Sequence, residues 1–154
     1  MMIRASSIIL ACLALAACER ASDGAPAGHG ASGADWPAAV GPFVEGSERV
    51  WSGLLPCSDC AGVDTRLVLQ LKDRKRSFVL TETYVGGPTP NRFSRAGRWT
   101  ETRRTLAGES LLTYTLDPGR AGQVYALRSD GSLELLDGQG QPSAQPIAYR
   151  LQRL

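Results

Sequence analysis

The sequence predicts an all-β fold, a small antiparallel up-and-down barrel of about eight strands, and three observations predict it. From about residue 48 onward, short runs rich in β-branched and aromatic residues recur between turn signals roughly every 10 residues. The run Val63 to Lys72 alternates, with Val63, Thr65, Leu67, Leu69 and Leu71 on one face and Asp64, Arg66, Gln70 and Lys72 on the other, so one face is buried. The connections between runs are too short for parallel crossovers, and a meander of this length closes on itself because closure removes both exposed edges.

The first element is an address. Residues 1–17 place one cation, Arg4, ahead of the apolar run Ile8 to Leu15, which is the layout of a secretory signal peptide. That run is about half of the roughly 20 residues that a membrane-spanning helix needs. Leu15-Ala16-Ala17-Cys18 resembles the bacterial lipobox, which implies cleavage before Cys18 and lipidation of its sulfur. Two acyl chains already give stable anchoring, so the expectation is membrane attachment through the N-terminal lipid. Proteins of this kind that stay in the inner membrane usually carry Asp after the modified cysteine. This chain has Glu19, which points to the cell outer membrane, facing the periplasm.

Residues 18–47 form the lipidated N-terminus and a linker. The stretch is dominated by Gly, Ala, Ser and Pro without apolar periodicity. A coil of about 30 residues has a root-mean-square span of about 30 Å, enough to clear lipid headgroups. Trp36, Val40 and Phe43 leave open a second reading, in which Trp36 to Val44 docks on the domain as an extra edge.

Residues 48–154 form the barrel domain. Its eight candidate strands are Arg49 to Leu55, Val63 to Lys72, Arg76 to Val85, Phe93 to Thr102, Leu111 to Asp117, Gln123 to Ser129, Ser132 to Asp137 and Ile147 to Leu154. Lys72-Asp73-Arg74-Lys75, Gly86-Gly87-Pro88, Ala107-Gly108-Glu109, Asp117-Pro118-Gly119 and Asp130-Gly131 suit the tight reversals between them, and no helix is needed. Trp51, Phe78, Tyr84, Trp99 and Tyr114 are read as barrel core.

Composition excludes several functions. The net charge of +2 comes from 17 basic and 15 acidic residues, interspersed rather than in blocks, so the chain is not read as a nucleic-acid binder. The only histidine, His29, lies in the linker, so no nucleophilic triad can be built. Glu82 and Glu101 read as solvated strand positions and Gly86-Gly87 as a turn. No enzyme is expected.

The informative motif lies between the first two strands, Trp51-Ser52-Gly53-Leu54-Leu55-Pro56-Cys57-Ser58-Asp59-Cys60-Ala61-Gly62-Val63-Asp64-Thr65. This stretch resembles the NlpE N-terminal domain, a family of copper-resistance and envelope-stress lipoproteins. Further similar features are Tyr84-Val85-Gly86-Gly87, Gly97-Arg98-Trp99, and Leu135-Leu136-Asp137 followed by Gly140 and Pro142. The resemblance implies a lipocalin-like barrel, a part in envelope-stress sensing or copper homeostasis, and an envelope-stress sensor protein as partner. Full-length members carry a second β-barrel domain that is not found here, so roles belonging to it do not transfer.

The chemistry of Cys57 and Cys60 stays open at this point. An oxidising compartment favours a disulfide between them, and that is the default. As a staple it is modest, about 2 kcal/mol for a four-residue loop in the chain-entropy model. In the reduced state two soft thiolates suit Cu(I), whereas Zn(II) normally takes four ligands. No cofactor is required, and Cu(I) at Cys57 and Cys60 is the metal reading. Thioredoxin-like catalysis is disfavoured, because no helix follows the pair and Asp59 between the sulfurs opposes thiolate formation. Two rivals remain: a lipocalin-like barrel holding a small apolar ligand, and a structural lipoprotein whose CxxC is only a disulfide. Inward-pointing Phe78, Tyr84, Trp99 and Tyr114 would fill the lumen and decide against the first.

Overall fold

A computed structural model describes residues 41–87, 91–120 and 122–154. The signal peptide, Cys18, His29, Trp36 and Val40 lie outside the described residues. Eight antiparallel strands close into a barrel in chain order: β1 (Ser47–Leu55), β2 (Gly62–Lys72), β3 (Lys75–Val85), β4 (Asn91–Leu106), β5 (Glu109–Leu116), β6 (Val124–Leu127), β7 (Leu133–Leu135) and β8 (Arg150–Arg153). The ladder is longest between β2 and β3, where every residue from Gly62 to Lys72 has a partner. It is shortest at β8, which pairs with β1 through Trp51↔Arg153 and Ser52↔Gln152 and with β7 through Leu133↔Leu151 and Glu134↔Arg150.

Two turns show why the strands reverse where they do. Asp73 and Arg74 have φ of 51° and 58°, and Ala107 and Gly108 have φ of 49° and 85°. Two consecutive residues with positive φ make a primed two-residue turn, whose twist matches that of the flanking strands.

The inward faces follow the two-residue period. Trp51, Leu67, Leu69, Phe78, Leu80, Trp99, Tyr114, Leu116, Tyr125, Leu127, Leu133 and Leu151 form one buried cluster that fills the interior. Trp51 donates its indole N–H to the Gly131 carbonyl at 2.9 Å and Trp99 donates to the Gln70 carbonyl at 3.1 Å, so both large rings are fixed in orientation. A smaller cluster of Leu106, Ala126 and Leu136 lies on the opposite face of the β5–β6 ladder, packed by Leu111 and Val124.

Several expectations need correction. Tyr84 is not core: it is 40% exposed at a barrel rim. β4 runs four residues past the expected Thr102, because it pairs with β3 through Asn91–Arg98 and with β5 through Trp99–Leu106. The expected last strand begins as a single 3₁₀ turn, Pro146–Tyr149, and only Arg150–Arg153 is β. Pro146 has no N–H to give a ladder, and its fixed φ suits the first position of a helical turn. Glu82 and Glu101 are not solvated; both are partly buried and share the inward parity of Phe78 and Trp99.

Phe43, ahead of β1, packs on the main cluster. Its ring centroid lies 4.6 Å from that of Trp99 and 5.8 Å from that of Tyr114, and the Arg49 guanidinium sits 4.2 Å over its face. Arg49 also donates to the Gly41 and Pro42 carbonyls, holding this segment against β1. The extra contact foreseen for Trp36 to Val44 is thus made by Phe43, within the described residues.

Candidate functional site

β1 and β2 pair up to Leu55↔Val63, and the loop 56–61 between them carries both cysteines. Pro56, which follows Leu55 directly, has no N–H to continue the ladder. Two contacts hold the loop to the neighbouring strand end. The Ala61 N–H donates to the Val85 carbonyl at 2.9 Å. Gly86 sits against Ala61 with φ of 90°, and a Cβ there would come 2.5 Å from the Ala61 Cβ, so only glycine fits.

Within this loop the Cys57 and Cys60 Cα atoms are 5.3 Å apart and their sulfurs stand at disulfide distance, 2.12 Å. Ser58 and Asp59 are exposed, while both cysteines are partly exposed, so a solute or a second protein can reach the pair. Asp59 Oδ1 lies 3.3 Å from the Cys57 sulfur and the Gly62 carbonyl oxygen 3.2 Å from the Cys60 sulfur. A disulfide sulfur has no proton to donate. In the reduced state the same two oxygens accept from the thiols and place negative charge against any thiolate.

Among the described residues no group of three or more His, Cys, Asp or Glu side chains comes together. The donor set at this loop is therefore two sulfurs, with Asp59 as the neighbouring oxygen. It fits a low-coordinate soft ion such as Cu(I) after reduction better than the four-ligand shell of a structural zinc.

Behind the loop, at the same end of the barrel, Tyr84 and Phe93 meet edge to face at 5.8 Å, and Phe93 is 59% exposed. Deeper in lies a polar network that sequence reasoning missed. Arg95 donates to Asp117 at 3.1 Å and to the Gln123 amide oxygen at 2.8 Å, and its guanidinium sits 5.5 Å over the Phe78 ring. Gln123 in turn donates to Glu82 at 3.4 Å and accepts from the Tyr125 hydroxyl at 3.3 Å. Burial, helped by the nearby Glu82 carboxylate, holds the Tyr125 hydroxyl well above the usual tyrosine range, against the opposing Arg95 charge. The signal was present in the period-two parity: Glu82 follows Phe78 and Leu80, and Arg95 precedes Gly97 and Trp99, all on one face.

Near the Phe43 end, Tyr114 is also buried, and its hydroxyl is pushed above its ordinary value by burial and by Glu101, with Arg49 opposing. Gly97 gives the Asp117 carboxylate and the Phe78 ring their room: a Cβ there would fall 2.1 Å from Asp117 Oδ1 and 2.8 Å from Phe78. Of the four aromatic residues expected to fill the lumen, Phe78, Trp99 and Tyr114 do so, each at most 1% exposed.

The family model described as the NlpE N-terminal domain matches residues 51–145. Lipoprotein NlpE of Escherichia coli (strain K12) is 30% identical over 103 residues, which cover 66% of this chain and 39% of that protein. The chain thus spans about two fifths of the length of this curated relative. No solved structure matches.

Proposed function

The chain belongs to the NlpE N-terminal domain family, and from that premise we propose that it is a non-enzymatic lipoprotein, anchored through Cys18 to the periplasmic face of the outer membrane, that takes part in envelope-stress sensing or copper homeostasis. The observation that carries the reading is the placement of Cys57 and Cys60 in an accessible loop outside a filled barrel. A pair so placed can change its redox or metal state while the barrel stays folded. The partner in this reading is an envelope-stress sensor protein, and the ion is Cu(I), held after reduction by the Cys57 and Cys60 thiolates. The ligand-carrier rival is disfavoured, because Trp51, Phe78, Trp99 and Tyr114 occupy the space an apolar ligand would need.

The test is anaerobic titration of the reduced protein with Cu(I) against a competing chelator, beside the Cys57→Ser/Cys60→Ser variant. The expected result is one Cu(I) per chain, lost in the double variant, with the far-ultraviolet circular dichroism of the barrel retained in both. Equal copper retention by the two proteins, or none by the wild type, refutes the coordination and leaves a disulfide of modest stabilising value.

A further inference from the structure

We propose that the exposed basic cluster Lys72, Arg74, Lys75, Arg76 and Arg98 is a docking face for an anionic bilayer, the second attachment beside the lipid anchor; this rests on the Cys18 anchoring reading given above. The five cations are one third of the 15 basic residues in 41–154. Four of them, Arg74, Lys75, Arg76 and Arg98, line one shallow cleft with Trp99, Thr100 and Pro118. All five are exposed, and among the described residues none takes part in an ion pair. Arg76 is steadied by its position 5.1 Å over the Trp99 ring.

The counter-charge beside them is small and already engaged. Glu45 is occupied in capping the turn, accepting from the Asp73 and Arg74 backbone N–H groups, and Asp73 is the one carboxylate inside the turn sequence. With those two included the cluster keeps a surplus of three positive charges. The interspersed charge pattern of the sequence hid this, because Arg98 joins Lys72 to Arg76 only through the β3–β4 pairing, Ser77↔Arg98.

The path of the chain selects a membrane as the occupant. The segment that leads back toward Cys18 leaves the barrel beside this turn: Gly46 donates to the Leu71 carbonyl at 2.8 Å, Glu45 caps the turn, and Phe43 shares Trp99 with Arg76. Gly41 follows Cys18 by 23 residues, so even a fully extended chain, at roughly 3.3 to 3.6 Å per residue, keeps this end within about 80 Å of the anchor. The end of the barrel from which the chain runs back toward the anchor therefore carries the unpaired cations. The lipid already holds the chain at the membrane, so the cluster sets which face of the barrel meets it, and clusters of about four to eight Lys and Arg suffice to bind anionic lipid.

Lys72 and Lys75 are the only lysines in the chain, so an uncharged amine-acylating reagent reports this face directly. The lipidated protein is placed in vesicles of phosphatidylcholine alone and of phosphatidylcholine mixed equally with phosphatidylglycerol, and the acylation of each lysine is followed by mass spectrometry. In the anionic vesicles Lys75 is expected to react several-fold more slowly, with the difference removed by high salt. Since each cation near an anionic surface contributes roughly a five-fold factor in partition, Arg74→Gln with Arg76→Gln should remove most of that protection. Flotation separates the premises. A chain that floats with neither vesicle overturns the anchor and the proposal with it. A chain that floats but acylates at one rate in both vesicles, or whose protection survives the double variant, overturns the docking face alone; protection by an added acidic protein but not by anionic lipid also overturns it.

Discussion

Replacing Phe43 by Ala asks where the domain begins. Phe43 is partly buried against Trp99 and Tyr114 and lies under the Arg49 guanidinium. About 100 Å² of its surface is shielded if half of a ring burying some 150 to 250 Å² is covered, which at about 25 cal/mol per Å² gives about 2.5 kcal/mol. The two aromatic contacts add about 0.5 kcal/mol or more each, offset by whatever collapse Trp99 allows, so the expected loss is on the order of 3 kcal/mol. For a domain slightly above 100 residues that lowers the melting temperature by roughly 10 to 20 °C. Near-ultraviolet circular dichroism during urea and thermal unfolding is the assay, because the signal comes from the aromatic rings that Phe43 touches. Phe43→Leu should recover about half of the loss. If Phe43→Ala shifts stability by less than about 0.5 kcal/mol, Gly41 to Gly46 is not part of the cooperative unit and residues 48–154 suffice.

Three further outcomes are expected. Tyr114→Phe should be neutral or stabilising by up to about 1 kcal/mol in urea unfolding, since among the described residues the buried Tyr114 hydroxyl makes no hydrogen bond of good geometry and only the Arg49 guanidinium is near enough to offer one; a clear loss would show that Arg49 satisfies it. Arg128→Ala should cost on the order of 3 kcal/mol, because it strips the fully buried Glu134 of its partner at 2.6 Å and leaves only Arg150 at 3.9 Å, and a loss below about 1 kcal/mol would mean that water reaches Glu134. Asp130 is held below its ordinary value chiefly by the Ser132 hydroxyl at 2.6 Å, then by the Ser132 N–H and Arg150, with burial opposing. A depressed folded-state pKa gives stability that is present above the unfolded value of about 4 and lost as pH falls through the folded one, so Ser132→Ala should flatten the acid limb of the urea midpoint and raise the Asp130 carboxyl titration seen by NMR. Identical acid limbs in the two proteins would refute that assignment.

The strand order was legible because the turns are written locally. Asp73-Arg74, Ala107-Gly108 and Asp130-Gly131 lie where the chain reverses, and alternation from Val63 to Leu71 identified the inward face of β2 correctly. Charge on that face was not legible. Binary patterning assigns Glu82, Arg95 and Glu101 to solvent, but a closed barrel forces every second residue inward up to the rim, where these groups find one another or Tyr114. The same limit applies to Phe43, which belongs to no periodic run and enters the core through a single ring. The extension of β4 through Arg103-Arg104-Thr105 was likewise invisible, since its reason is a second pairing partner rather than an apolar face.

The position of the cysteine pair separates its chemistry from the fold in a way that energetics makes plain. A link across four residues restricts the unfolded chain by only about 2 kcal/mol, whereas removing a single interior Trp or Phe costs about 3 to 5 kcal/mol. Breaking the bond leaves the main cluster untouched, because none of its members comes from the loop between Leu55 and Gly62. What reduction can move is local: the Ala61 bond to Val85, the Ala61 contact with Gly86, and the exposed rim that continues through Tyr84 to Phe93. Any readout of the Cys57–Cys60 state must therefore be taken at this end of the barrel, by a partner or an ion that meets the loop itself. The expected signature is a change in amide exchange confined to residues 56–61 and 84–87 on reduction, and protection lost throughout β1 to β8 would show instead that the disulfide is holding the barrel together.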